Sequence, residues 1–128
     1  MLTGVLIAES LRSGGVLPDV PLRVTRLRRG AATSATSAQP PEWTLMEFET
    51  AEPHAERLAE ALAGCLNPTG GWYANFNTPA EAFVVFADRV FRYAHGDPAG
   101  RARAQEHARS VGVPDPQLDW DDDPPRGG

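Results

Sequence analysis

Few residues in this chain have the types and spacing that chemistry needs. Histidine occurs three times, as His54, His95 and His107. None has a second His or Cys at a ligand interval such as i, i+4 on a helix, so no metal set is expected. His95 stands two residues before Asp97. A carboxylate there could orient an imidazole for proton transfer on a small anionic substrate, and the Tyr73 hydroxyl is the other candidate for such a role. Either group alone lacks the nucleophile and oxyanion donors of a working site. The plainer reading of His95 is an exposed loop residue beside a helix cap. Cys65, the single cysteine, has no neighbouring positive charge to ionise it and reads as a small buried hydrophobe.

No cofactor and no catalytic residue are assigned. Gly14-Gly15 and Gly70-Gly71 lack the Gly-Lys-Ser/Thr ending and the GxGxxG spacing of phosphate loops. Asp119 and Asp121-Asp122-Asp123 lack the glycine turn and closing Glu of a calcium loop. Two groups remain as binding candidates. In the run WYANFN, Tyr73, Asn75 and Asn77 point to one side of a strand, with Arg92 and His95 as candidate companions for a small anion or a peptide backbone. Asn is depleted in strands, so two on one face draw notice. The other group is basic: Arg23, Arg26, Arg28 and Arg29 in LRVTRLRR. It could contact phosphates. However, no aromatic residue is interleaved for base stacking, and arginines also guard sheet edges against aggregation.

Charge bears on the same choice. The net charge is −5 and unevenly spread. Residues 1–30 hold five arginines against two acids, and the remainder holds seven against fifteen. An acidic chain with one basic stretch argues against nucleic acid as the main partner. Lysine is absent, which, with abundant Ala, Gly and Pro, reads as GC-rich bacterial codon usage. A single cysteine excludes an intrachain disulfide. The N-terminal run is too short and lacks the basic lead of a signal peptide. No stretch approaches the roughly 20 apolar residues of a membrane helix. A cytoplasmic protein without membrane contact is expected.

The elements that position these residues follow from periodicity. Leu2 to Leu11 is apolar on both alternating faces and reads as an interior strand, with a short helix as the competing reading. Leu22 to Arg29 reads as a second strand in which a bulge near Thr25 would restore the apolar face. Residues 30–41 contain no apolar side chain larger than Ala and read as a mobile, solvated loop. Glu42 to Thr50 alternates as a half-buried strand. Pro53 to Leu66 carries a helical stripe of Ala55, Leu58, Ala59, Leu62, Cys65 and Leu66. Seven of the ten aromatic residues fall between Gly71 and Tyr93. There WYANFN is followed by a hairpin turning at Ala87-Asp88. A two-residue loop puts Val84, Phe86, Phe91 and Tyr93 on one face and Phe83, Val85, Val90 and Arg92 on the other. Asp88 is among the better non-glycine residues for a positive φ there. Asp97-Pro98 opens a second helix, to about Val111, on a thin stripe of Ala104, Ala108 and Val111. Leu118 and Trp120 are expected to dock the following turn, and residues 121–128 to form a disordered acidic tail.

The order is β-β-β-α-β-β-β-α, in a single α+β domain over 1–120. A mostly antiparallel sheet with two helices packed on it is the simplest arrangement. The segments GWYANF, VVFADRVFRY and QLDW, with the preceding hairpin, resemble those of small uncharacterised bacterial proteins of ferredoxin-like α+β type. That resemblance implies a ferredoxin-like sandwich and no particular activity. The functional expectation is a non-enzymatic binding or protein-interaction module, with a homodimer through an exposed sheet face or edge as one form.

Overall fold

A computed structural model describes residues 1–17 and 19–125. Six strands form one sheet in the order β2-β3-β1-β4-β5-β6, with β1 Leu2–Ile7, β2 Arg23–Ala31, β3 Glu42–Thr50, β4 Ala74–Asn77, β5 Glu81–Phe86 and β6 Arg89–Ala94. Every neighbouring pair is antiparallel. Helix α1 spans Ala55–Cys65 and α2 spans Pro98–Ser110. The expected element order and α+β class are therefore present. The ferredoxin-like order is not: the strands are ordered differently. In β3-α1-β4 the crossover leaves a gap that β1 fills, antiparallel to both strands. β1 is thus a central strand, ended by a single helical turn at Ala8–Ser10. No helix among the described residues is long and apolar enough to cross a membrane.

Alternation along β5 divides the interior in two. Phe83 and Val85 face α1, where they join Leu2, Leu6, Phe48, Phe76, Leu58, Leu62 and Cys65. Val84 and Phe86 face α2, where they join Tyr93, Ala104, Ala108, Val113, Leu118 and Trp120. The Ala87-Asp88 turn makes this split possible. Phe86 pairs with Arg89, so the loop has two residues, and Asp88 takes φ 59°. The whole α1 stripe is buried. On α2, Val111 stays exposed, and Val113 beyond the helix end is buried in its place. The thin Ala stripe and Gly100 let α2 sit very close. A Cβ on Gly100 would lie 2.3 Å from the Cβ of Tyr93.

Three expectations about flexible or exposed segments differ from the structure. The bulge in β2 falls between Val24 and Arg26, as the apolar pattern requires. Even so, Val24 and Leu27 remain exposed because β2 is an edge strand beyond the reach of α1. The 30–41 segment is tethered. Gly30 and Ala31 extend β2, and Gln39 is buried, donating to the Gly70 carbonyl at 2.8 Å. Gln39 and Gln117 also exchange side-chain amide hydrogen bonds. In the acidic tail, Asp121 and Asp122 are pinned by hydrogen bonds, and residues 126–128 lie outside the described residues.

Candidate functional site

The chain beyond α2 runs back across the sheet as a strap, residues 113–122, and its contacts use four of the predicted site residues, Tyr73, Asn75, Asn77 and His95. Tyr73, Asn75 and Asn77 share the face of β4 opposite Ala74 and Phe76, as alternation requires. The Tyr73 hydroxyl donates to the Gln117 carbonyl, and its ring meets Trp120 edge-on at 5.4 Å. Burial, and secondarily the charge of Asp119, push its pKa well above the ordinary phenol value. That hydroxyl is no ready acid or base at neutral pH. The amides of Asn75 and Asn77 donate to the Asp121 carbonyl at 3.0 and 2.8 Å. The buried Asn77 Oδ1 has no hydrogen-bond partner among the described residues. The strap's own backbone thus occupies these three side chains.

His95 belongs to the same set. Its Nδ1 lies 2.5 Å from the Asp122 carbonyl and its Nε2 lies 2.7 Å from the Thr78 carbonyl. Both ring nitrogens are thus taken up by backbone carbonyls of separate segments. Asp97 does not join it. The Asp97 carboxylate accepts from the N–H groups of Ala99 and Gly100, both at 3.1 Å, and caps α2. Its reach is taken by the orphan donors of the helix start, so the candidate His95–Asp97 pair does not form and Asp97 is the helix cap of the plainer reading. Arg92 also falls outside the set. It lies on the α1 face over the Phe83 ring, bound to Glu81 at 2.6 Å and Glu56 at 3.0 Å. An anion there would meet two carboxylates already in place.

The arginines of β2 are occupied in the same way. With the bulge between Val24 and Arg26, Arg23, Arg26 and Arg28 stand opposite Glu49, Glu47 and Leu45. Arg23 and Arg26 form ion pairs with those glutamates, and Arg29 binds Glu9 and approaches Glu42. Only Arg28 of the four makes no ion pair among the described residues. A cluster so neutralised offers phosphates little field.

Arg101, which carries no signal in the sequence, organises the strap. It donates to the carbonyls of Trp120 and Leu118, stacks over the Trp120 ring at 4.8 Å, and binds the Asp122 carboxylate at 2.7 Å. Tyr93 donates to that carboxylate and accepts from the Trp120 indole, both at 2.9 Å. Burial works against an ionised Asp122, but Arg101 and Tyr93 outweigh it and hold its pKa below the ordinary value.

Because α2 and the strap cover only β4 to β6, the other half of that face stays partly bare. A cleft of about 350 Å³ lies between them. Its floor is Val5 and Ile7 of β1 with Leu45 of β3, and its walls include Trp43, Trp72, Tyr73 and Trp120. Asn75, Gln117, Asp119 and Asp121 supply polar groups at the strap side. Trp43 and Trp72 pack against each other with centroids 5.5 Å apart. All three tryptophans of the chain thus meet at one place, although they lie far apart in sequence. Tyr73 and Asn75 are the two predicted site residues that line it. The volume falls within the range common for small-molecule pockets, and the walls are mostly apolar. Cys65, His54 and His107 are elsewhere. Cys65 is buried on the inner face of α1, and burial raises its thiol pKa. His107 is half-buried against Phe86 and Phe91 instead of facing solvent. Among the described residues no group of His, Cys, Asp and Glu is placed to hold a metal ion.

Compared with protein-family models, curated proteins and solved structures, the chain matches none of them.

Proposed function

We propose that this protein is a non-enzymatic binding module that takes a small organic ligand in the cleft between the bare half of its sheet and the strap. One observation carries the proposal: Trp43, Trp72, Tyr73 and Trp120 converge around a cavity of about 350 Å³. Burying apolar surface there would supply most of the affinity, at about 25 cal/mol per Å². The two strap carboxylates, Asp119 and Asp121, would orient the ligand. The enzymatic alternative through His95, Asp97 or Tyr73 draws no support from the geometry, since each of those groups is bonded within the protein. A cytoplasmic setting suits a chain whose one thiol is reduced and buried.

The test is a titration watched at the indole N–H signals of Trp43 and Trp72 by NMR. A panel of small cationic, neutral and anionic organic molecules should contain members that shift both signals and compete with each other. A panel that moves neither signal at millimolar concentration removes the cleft as a binding site.

Self-association along β2 is the second reading. It is favoured by Val24 and Leu27, which are 52% and 64% exposed on an edge strand. Light scattering across a dilution series should then show mass rising with concentration. A constant monomer mass dismisses it.

A further inference from the structure

The ionisable carboxylates that line the cleft are of one sign, while Arg101 stands outside the lining over the Trp120 ring. Asp119 and Asp121 line it, and no Arg or His does. They flank the buried Trp120 on the strap and are both exposed, and the Asp121 carboxylate also accepts from the Asp123 N–H at 2.9 Å. Arg28, opposite Leu45 in register, belongs to the outer strand and is not part of the lining.

Three aromatic rings of this protein carry an arginine over their face. Arg89 lies over Phe91, Arg92 over Phe83 and Arg101 over Trp120, all within 4.8 Å of the ring centroid. Trp43 and Trp72, the paired indoles of the cleft, have no such partner among the described residues. An indole is the strongest cation–π acceptor of the side chains, and the interaction grows when water is excluded. An aromatic recess with an acidic rim and an unclaimed pair of indoles is complementary to a cation too large and too poorly hydrated to prefer water.

On this basis we infer that the ligand is an organic cation, a quaternary or alkyl-substituted ammonium. Its charged head lies against Trp43 and Trp72 within the field of Asp119 and Asp121, and its apolar part rests on Val5, Ile7 and Leu45. The inference rests on the cleft being a binding site, as proposed above. It reverses the sign of the anion expected from sequence for the Tyr73–Asn75 face, because the strap brings two carboxylates there and Arg92 lies on the other side of the sheet.

Three probes of nearly one shape decide it: choline, its neutral carbon isostere neohexyl alcohol, and the anion tert-butylacetate. Each is titrated into the full chain and read from the Trp43 and Trp72 indole signals. Choline should bind about tenfold more tightly than neohexyl alcohol, with tert-butylacetate the weakest. In the double variant Asp119→Asn with Asp121→Asn, the preference for choline should fall to about threefold, leaving the contribution of the rings. Both carboxylates are exposed, so this variant retains the fold. If neohexyl alcohol binds as well as choline, or tert-butylacetate binds better, the cation reading is overturned while the cleft stands as an apolar site. If none of the three moves the indole signals, this inference fails. If the wider panel also moves neither signal, the binding site itself fails.

Discussion

His95 and Asp97 show how local proximity in sequence can mislead. Two residues apart, they look like a proton-transfer pair, but each finds a stronger demand nearby. Asp97 satisfies the first N–H groups of α2, and His95 bridges two carbonyls of separate segments. Cys65 behaves as its position on the helix stripe predicts. It is 1% exposed, and desolvation raises its thiol pKa against a smaller opposing effect of Arg12. Reactivity requires the thiolate. Ellman's reagent should therefore leave the native protein untouched and titrate one thiol per chain in denaturant. Rapid reaction of the native protein would mean that α1 is not seated on the sheet.

At the scale of elements, the strap decides most. Residues 117–122 close the second core, complete the cleft wall and occupy Tyr73, Asn75, Asn77 and His95. Trp120 is its anchor, 5% exposed, hydrogen-bonded to Tyr93 and stacked by Arg101. Trp120→Ala should cost about 3–5 kcal/mol of stability, the range for truncating a large buried aromatic. The measurement is the midpoint of denaturant unfolding. A change below about 1 kcal/mol would mean that the strap contributes little to the core. In the sequence, Leu118 and Trp120 were enough to predict docking. The extent of docking was not legible, because Asp121 and Asp122 are held through partners 44 and 29 residues away. Acidic composition alone indicates a solvated tail. Similarly, residues 30–41 look unstructured because their anchor is a single polar side chain, Gln39, whose partners come from distant segments.

At the scale of the whole molecule, stability should depend on pH through His107. Burial against Phe86 and Phe91, and then the charge of Arg89, lower its pKa below 6.5. The unfolded chain therefore takes up this proton before the folded one does. The neutral imidazole contributes its full stability above pH 6.5, and that contribution is lost as pH falls through 6.5 to the depressed folded value. Below the folded value the loss is complete. His107→Gln should flatten this part of the profile, so its melting temperature should fall less than that of the unaltered protein between roughly pH 8 and pH 5. Identical acid limbs in the two proteins would show that His107 titrates as an exposed residue. The lowered pKa values of Glu81 and Asp122 act further down, in the carboxylate range, and both proteins share them.

The sequence by itself determined the number, kind and order of the elements and the two faces of the β5–β6 hairpin. Those follow from side-chain periodicity and local turn chemistry, as the bulge beside Thr25 and the positive φ of Asp88 show. It also pointed to Tyr73 and Asn75, since alternation assigns them to one face. Only the tertiary structure decided the strand order, the insertion of β1 between β3 and β4, and the meeting of Trp43, Trp72 and Trp120 around one cleft. Each of these depends on contacts between residues tens of positions apart. Local propensity and periodicity carry no information about which distant surface a segment will cover.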